Sequence, residues 1–373
     1  MSDGDPRKPA AAAARWRELR ERAGGSTARA LRFVVEYVAL RMWELIVGCF
    51  PIEANRLTAR WMARIWWRID KRHRELALTH LRFALGADHD EAALRRIARG
   101  SFEHLAQLYL VEVPLEPRLI TRWAWARYVH LGDLERSPPD AQIRRRDRID
   151  SPRDTRARGD ALETPSLSAA LRVLLAGRGA ILVTPHFGNY ELVGFALARL
   201  GLPLHAIMRP PDNPLLDAYV RRTREQSGLS LIMKRGAGTE ADDVLARGGT
   251  LAFIADQDAG KKGVFADFFG RAAAWYKSIP LLAMRHHVPL IIGGAYRLTT
   301  RFRYELHVER IIEPHEWALQ DDPLLWITGQ ISNACESLIR RAPEQYLWIH
   351  RRWKTRPRTE LATREKESAA RLA

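Results

Sequence analysis

A histidine and a glutamate with suitable spacing for acid–base chemistry follow an apolar run of strand length. His186 comes directly after the run GAILVT at residues 179–184, within the segment TPHFGNYE. Asn189 is a favourable helix N-cap, which places Glu191 in the first helical turn, where the helix dipole stabilises a carboxylate. A carboxylate there can hydrogen-bond one imidazole nitrogen and leave the other to take a proton from an alcohol. The pattern predicts His186 as a general base and Glu191 as its partner.

The spacing of this pair is weak evidence when it is taken alone. His130 and Glu135 have the same spacing, but they lack the strand end and the glycine that surround His186. A structural histidine is the alternative interpretation of His186. The position at a strand end, the small Gly188 and the helix start together favour the catalytic interpretation.

Arginines gather around a second predicted helix start. Arg209, Asn213 and Arg222 follow an apolar run, and guanidinium groups there can hold a phosphate or an oxyanion. The alternative is that most of these charges face solvent, with Asp217 and Arg221 forming a pair along the helix.

Two carboxylates follow the apolar run TLAFIA at residues 250–255. Asp256 and Asp258 can bind a divalent ion or can hydrogen-bond to arginines and orient them, and the second role is favoured. His286 and His287 have no acidic partners nearby in sequence. We therefore predict neither a metal site nor a cofactor.

Alternating apolar runs and amphipathic segments indicate an α/β fold in the second half of the chain. A mainly parallel central sheet flanked by helices is expected, with reactive groups at the carboxyl ends of its strands. The predicted helices are Leu167–Leu175, Tyr190–Leu200, Asn213–Gln226 and Leu324–Arg341. The predicted strands are Gly179–Thr184, Pro203–Met208, Thr250–Ala255, Pro289–Tyr296 and, at an edge, Arg301–Ile311.

Composition shifts divide the chain into five segments. Residues 1–26 are predicted to be a disordered lead-in, 27–130 a helical region that associates with a membrane, and 137–163 a disordered charged insert. The α/β core is expected at 164–357, followed by a disordered tail at 358–373.

The membrane prediction comes from an amphipathic pattern. Basic residues recur every four positions beside an aromatic and aliphatic face, which suits anionic headgroups, although a solvated face over a packed core is an equal alternative. The two sets are Arg60, Arg64, Arg68 and Arg72, and Trp61, Ile65, Trp66 and Ile69. The apolar stretch Leu31–Phe50 contains four charged residues, which favours a helix at the membrane surface over one that crosses it.

The charge balance restricts the class of partner. The chain has 60 Lys and Arg residues against 44 Asp and Glu residues, a net charge of +16 that attracts nucleic acid, an anionic membrane surface or acidic carriers. No nucleic-acid-binding module is recognisable, so we expect no nucleic-acid partner. Cys49 and Cys335 lie far apart, which predicts reduced thiols.

Four segments together resemble a known family. HFGNYEL, RPPDNPLLDAYVRRTR, DQDAGKKGVFADFFG and PEQYLWIHRRWKTRP occur in the order and spacing of the bacterial lipid A biosynthesis (late) acyltransferases, within the lysophospholipid acyltransferase superfamily. The resemblance covers residues 27–357 apart from the insert. It implies a glycerolipid acyltransferase-like fold at the cytoplasmic face of the inner membrane, bound peripherally or by a single N-terminal anchor.

The resemblance also implies a reaction and residue roles. An acyl chain passes from an acyl carrier protein thioester to a hydroxyl of an anionic glycolipid, the lipid A precursor. His186 is the base, Glu191 its partner, and Arg222 holds the substrate or the oxyanion with support from Asp256. Arg209 and Asn213 match the family's second motif and are expected at the substrate.

Three departures from the family pattern bear on these expectations. Residues 271–278 read RAAAWYKS where the family usually has a threonine soon after FFG, tyrosine replaces tryptophan at Tyr190 and Tyr346, and the N-terminal region is unusually charged. The alternatives are acylation of another lipid, such as mannosylated phosphatidylinositol, a non-enzymatic basic protein that binds a membrane or nucleic acid, and a scaffold that has lost its activity.

Overall fold

The computed structural model describes residues 16–132, 165–202, 204–208, 210–226, 228–233 and 237–357. The predicted insert at 137–163, the predicted tail at 358–373 and Arg209 lie outside the described residues.

A seven-stranded sheet forms the centre of the fold. Its strands are β1 (Val129–His130), β2 (Ala180–Thr184), β3 (Leu204–Met208), β4 (Leu229–Met233), β5 (Thr250–Ile254), β8 (Leu290–Arg297) and β9 (Tyr304–Ile312), and β6 (Val264–Asp267) and β7 (Ala272–Trp275) form a separate hairpin. The order is β1-β9-β8-β2-β5-β3-β4, and every pairing except the antiparallel β8–β9 pairing is parallel. The predicted mainly parallel sheet is confirmed.

Helices lie on both sides of this sheet, as predicted. In the N-terminal part they are α1 (residues 16–22), α2 (Thr27–Gly48), α3 (Ile52–Ile69), α4 (Lys71–Leu85), α5 (Glu91–Gln107) and α6 (Val113–Leu119), with a π-helical turn at Leu108–Glu112. The later helices are α7 (Leu167–Leu175), α8 (Tyr190–Arg199), α9 (Pro214–Gln226), α10 (Ala237–Ala246), α11 (Ser278–His286), α12 (Pro314–Trp317) and α13 (Pro323–Arg341).

The core has one layer on each face of the sheet. All five residues of β2 are buried, and Ile181 and Val183 belong to the layer beneath α5, α11 and α13, whereas Leu182 belongs to the layer beneath α7 and α8. A strand that is covered on both faces reads as a continuous apolar run, because neither face requires polar residues.

The N-terminal helices are bonded directly to the α/β core. His80 Nδ1 lies 2.8 Å from the carbonyl of Trp348, and the Ser101 hydroxyl donates to the carbonyl of Tyr346 at 2.8 Å. These contacts join α4 and α5 to the segment that follows α13.

Several elements differ from the sequence-based expectations. α1 lies within the predicted lead-in, where Leu19 and Ala23 are buried against Ala30 and Phe33 of α2. β4 and the β6–β7 hairpin were not predicted, and β9 lies between β8 and the short strand β1 instead of at the edge. None of the helices in the described ranges combines the length and the apolar character needed to cross a bilayer.

Candidate active site

The loop that carries His186 connects β2 to α8 and is held by main-chain hydrogen bonds. Gly188 has φ +57°, and a Cβ atom at this position would collide with the carbonyl oxygen of Ala295 on β8. The amide of Gly188 donates to the carbonyl of Gln345 at 2.9 Å, and the amide of Asn189 donates to the carbonyl of Ala295 at 2.8 Å. Only glycine fits this backbone without strain.

The imidazole of His186 is hydrogen-bonded to a buried aspartate. Its Nδ1 atom lies 2.6 Å from Oδ1 of Asp256, whose side chain is 2% exposed, while the side chain of His186 is 13% exposed. Sheet register explains the contact. Thr184 of β2 is aligned with Ile254 of the neighbouring parallel strand β5. His186 lies two positions after Thr184, and Asp256 lies two positions after Ile254.

The surroundings of Asp256 keep its carboxylate charged. Burial raises the pKa of this carboxyl, but the charge of His186 and its hydrogen bond outweigh burial and hold the pKa below its ordinary value. A charged carboxylate at Nδ1 requires a proton on that nitrogen, so when the ring is neutral its lone pair lies on Nε2. The Gln257 side-chain nitrogen lies 3.3 Å from Nε2 and can donate to it. The pair therefore has the geometry of a general base.

Glu191 has a different partner from the one predicted. Its carboxylate accepts two hydrogen bonds from the guanidinium of Arg224 on α9, one of them from Nε at 3.1 Å. Because α8 starts at Tyr190, its first turn directs Glu191 towards α9. The predicted hydrogen bond between Glu191 and His186 is corrected by these contacts to one between Asp256 and His186.

The other predicted site residues are dispersed. Asn213 is buried and donates to the carbonyl of Phe33 and to Glu36, both at 2.9 Å, which joins the start of α9 to α2. Arg222 is exposed on α9. Arg224, which sequence reasoning did not select, is the arginine of this helix that reaches the Glu191 carboxylate.

A buried polar network supports the His186 loop from the N-terminal side. Asn189 caps α8 by accepting from the amide of Leu192, as predicted, and its amide group donates to Glu116 and, at 3.4 Å, to Glu112. Glu112 lies 3.0 Å from Arg56 of α3. Sequence patterns gave no sign of this network. In the structure, Glu112 lies on the π-helical turn, and such turns are frequent at functional sites.

Two aromatic hydroxyls lie beside the imidazole. The ring of Tyr190 contacts His186 edge-on, with centroids 5.1 Å apart. The hydroxyl of Tyr190 lies 2.8 Å from the hydroxyl of Tyr109 on the π-helical turn. Tyr190 thus places a hydroxyl that can both donate and accept at this edge of the site.

The segment that follows α13, residues 342–357, is called the C-terminal segment and closes the other side of the loop. The amide of Leu347 donates to the carbonyl of His186 at 3.2 Å, and Phe187 forms an antiparallel bridge with Tyr346. Arg352 is buried, donates to the carbonyl of Ala274 at 2.5 Å and lies over the ring of Trp275.

The two carboxylates considered as metal ligands have separate partners. Asp256 binds His186, whereas Asp258 accepts from the hydroxyl of Thr355 at 2.8 Å. Within the described ranges, no group of three or more His, Cys, Asp or Glu side chains is arranged to hold a metal ion.

The model of one protein family, described as bacterial lipid A biosynthesis acyltransferase, matches residues 160–355, which is more than half of the chain. The chain belongs to this family. The match includes the His186 loop, Asp256, α9 and the C-terminal segment, and the N-terminal helices precede it.

Two individual relatives are similar over about half of the chain. A lipid A biosynthesis palmitoleoyltransferase from Escherichia coli (strain K12) is 30% identical over 193 residues, which are 50% of this chain and 59% of that protein. A lipid A biosynthesis lauroyltransferase from the same organism is 30% identical over 184 residues, 48% of this chain and 58% of that protein.

A more distant relative has a name that indicates a different lipid. A phosphatidylinositol mannoside acyltransferase from Mycolicibacterium smegmatis is 29% identical over 118 residues, 31% of this chain and 39% of that protein. The chain thus spans less than two thirds of the length of each of these relatives.

Proposed function

We propose that this protein transfers a fatty acyl chain from an acyl carrier protein thioester to a hydroxyl of a lipid A precursor or a similar glycolipid. The observation that carries the proposal is the 2.6 Å contact between His186 Nδ1 and the buried Asp256, which leaves Nε2 as the proton acceptor. Membership of the acyltransferase family supports the reaction class.

In the proposed reaction, His186 Nε2 takes the proton of the acceptor hydroxyl as its oxygen attacks the thioester carbonyl carbon. The new C–O bond forms a tetrahedral intermediate, which collapses with cleavage of the C–S bond. The imidazolium then returns the proton to the departing thiolate, so the base is regenerated. Asp256 stabilises the imidazolium in both steps, because its charge lies against the protonated ring.

The proposed site residues take different roles in this reaction. Glu191 acts through its ion pair with Arg224, which fixes the first turn of α8 behind His186. Arg222, being exposed, is proposed to meet the charged substrate, and Arg209 is proposed to act with it. Asn213 positions α9 against α2, so its effect on the substrate is indirect.

Apolar side chains on two N-terminal helices support a proposed contact with the cytoplasmic surface of the inner membrane. On α2 and α3 these side chains recur at helical spacing, and most are at least half exposed. A bilayer would cover them, because an exposed apolar stripe beside basic residues is the signature of a helix at a membrane surface. They are Leu31, Val35, Val38, Met42, Leu45 and Ile46 on α2, and Leu57, Trp61, Ile65 and Ile69 on α3.

The second candidate acceptor is a mannosylated phosphatidylinositol. The mycobacterial relative named for that substrate supports it, over a shorter match than the lipid A relatives give. Both candidates use the same chemistry at His186 and differ only in the lipid that supplies the hydroxyl.

Purified protein in detergent should be given acyl carrier protein thioesters or acyl coenzyme A thioesters. Each donor is tested with a lipid A precursor, a mannosylated phosphatidylinositol or DNA, and products are identified by mass spectrometry. We expect acylated lipid A precursor with the carrier-protein donor. Acylation of the mannosylated lipid alone would replace the proposed acceptor. Salt-sensitive DNA binding without acyl transfer to either lipid would overturn the proposal.

A further inference from the structure

An open cavity of about 830 Å³ lies between the junction of α2 with α3 and the turn that connects β8 to β9. Phe50, Leu57, Leu115 and Leu119 form apolar walls, and the His186 and Asp256 side chains are not among the residues that line it. We call it the α2–α3 cavity. Because neither His186 nor Asp256 lines it, this cavity is a site separate from the proposed acid–base pair.

Six arginines line the α2–α3 cavity against a single acidic residue, Glu53. Two of the six are neutralised within the fold. Arg56 contacts Glu53 at 3.1 Å and Glu112 at 3.0 Å, and Arg60 contacts Glu103 at 3.2 Å. Glu53 is further engaged by the amide of Phe302 at 2.8 Å.

The other four arginines have exposed side chains and form no ion pair with any residue in the described ranges. They are Arg118, Arg127, Arg301 and Arg303. Glu44 is within electrostatic range of Arg118, but its ion pair is with Arg41 at 3.1 Å. Uncompensated guanidinium groups that converge on one concavity favour a phosphate, because each can offer two parallel hydrogen bonds to its oxygens.

The apolar rim of the cavity indicates that the phosphate belongs to a lipid and not to a soluble molecule. Phe50 and Leu57 are 59% and 67% exposed, and Leu57 begins the apolar stripe of α3 that continues through Trp61, Ile65 and Ile69. An amphiphile can place its phosphate among the arginines and its chains along this stripe. A soluble phosphate would leave the stripe uncovered.

We propose that the α2–α3 cavity binds the phosphate headgroup of an anionic bilayer phospholipid, at a site distinct from the one where acyl transfer occurs. A lipid held there orients α2 and α3 on the membrane. The concave shape and the apolar rim favour a lipid over an acidic carrier protein, whose helices would need a flatter basic surface.

The test uses the full chain with the triple variant R118Q/R301Q/R303Q. Binding is measured by sedimentation with vesicles of phosphatidylcholine alone or mixed with phosphatidylglycerol. A matched control, R96Q/R172Q/R247Q, also removes three positive charges, but from exposed arginines on α5, on α7 and just after α10. Circular dichroism and thermal unfolding of both variants should match wild type, because all six side chains are exposed.

The triple variant should lose about a hundredfold in affinity for phosphatidylglycerol vesicles, since each arginine at an anionic surface contributes about fivefold. The control variant should lose no more than about threefold, because none of its three arginines lines the α2–α3 cavity and salt screens charges that act from elsewhere on the surface. Turnover in detergent micelles without anionic lipid should be unchanged in both variants.

Four results would overturn the proposal. Equal losses of vesicle affinity in the two variants would show that the net positive charge of the protein, and not the cavity, determines binding. Displacement of vesicles by millimolar inorganic phosphate would make the site one for free phosphate. Weaker binding of acyl carrier protein with intact vesicle binding would assign the arginines to the carrier. A raised KM for the acceptor in detergent would make the cavity part of the acceptor site.

Discussion

Replacing Asp256 by asparagine tests which carboxylate acts on His186. The substitution keeps the size of the side chain and an oxygen that can accept from Nδ1, but it removes the negative charge beside the imidazole. Asp256 is 2% exposed, so water cannot substitute for that charge.

The expected loss of kcat in Asp256→Asn follows from the distance between the two charges. The 2.6 Å contact between Nδ1 and Oδ1 puts the centres of the imidazolium and carboxylate charges about 4 Å apart. At an effective dielectric constant of about 20, their attraction is about 4 kcal/mol. Because the ring becomes charged only as the hydroxyl proton is removed, this energy is lost from the transition state, and kcat should fall by about three orders of magnitude.

The assay is acyl transfer under saturating donor and acceptor, with Glu191→Gln as the matched control. Glu191 contacts Arg224, so this second substitution weakens an ion pair without removing the charge at Nδ1. We expect the control to lower kcat by about tenfold or less and to lower the free energy of unfolding by about 1–3 kcal/mol.

The opposite ranking would refute this reasoning. If Asp256→Asn kept kcat within about tenfold of wild type while Glu191→Gln lost about three orders of magnitude, Glu191 would be the partner of the base. The geometry described for the loop would then not be the geometry in which the protein works.

Other predictions concern stability. Gly188→Ala should lower the free energy of unfolding by at least about 2 kcal/mol in urea denaturation, because alanine is strained at φ +57° and its Cβ meets Ala295; an unchanged midpoint would contradict this. Asn189→Ala should cost about 2–4 kcal/mol by the same measurement, since it removes the α8 cap and the hydrogen bond to the buried Glu116. For Glu309, burial raises the pKa, but hydrogen bonds from neighbouring side chains lower it to about 2. The stability this carboxylate adds is therefore complete above pH 5 and is lost as pH falls from about 4.5 towards 2, so Glu309→Gln should cost about 2 kcal/mol at pH 7 and progressively less near pH 3.

The elements that sequence predicted well are those with strong local patterns. β2 is an apolar run because all five of its residues are buried, β3 and β5 are mainly apolar although only partly buried, and α7 and α13 have clear amphipathic periods. β4 is as long as β3, but it was missed because the exposed Ser230 interrupts the apolar residues of its sequence, LSLIM. The β6–β7 hairpin has few β-branched residues, and its strands pair only with each other.

The site shows the limit of local reasoning more clearly. The strand end, Gly188 and Asn189 identified His186 and the start of α8, because all of these features lie within a few residues. The partner of His186 depends on β2 lying next to β5, and nothing in the sequence between them determines that strand order. Spacing therefore favoured the nearby Glu191, whose side chain instead meets Arg224 on another helix.

The network behind the loop is equally non-local. Glu112, Arg56 and Asn189 come from three separate parts of the chain and meet only after the N-terminal helices pack on the core. Each of the three is an ordinary surface residue type, so burial in this network could not be anticipated from composition.

Acyl transfer by His186→Gln, measured in a single turnover beside wild type, tests the central claim most directly. Glutamine keeps a polar side chain in the loop but cannot take up the hydroxyl proton. Removal of a general base predicts a transfer rate lower by about two to four orders of magnitude, with the fold retained by circular dichroism. A rate within about threefold of wild type would contradict the assignment of His186 as the base.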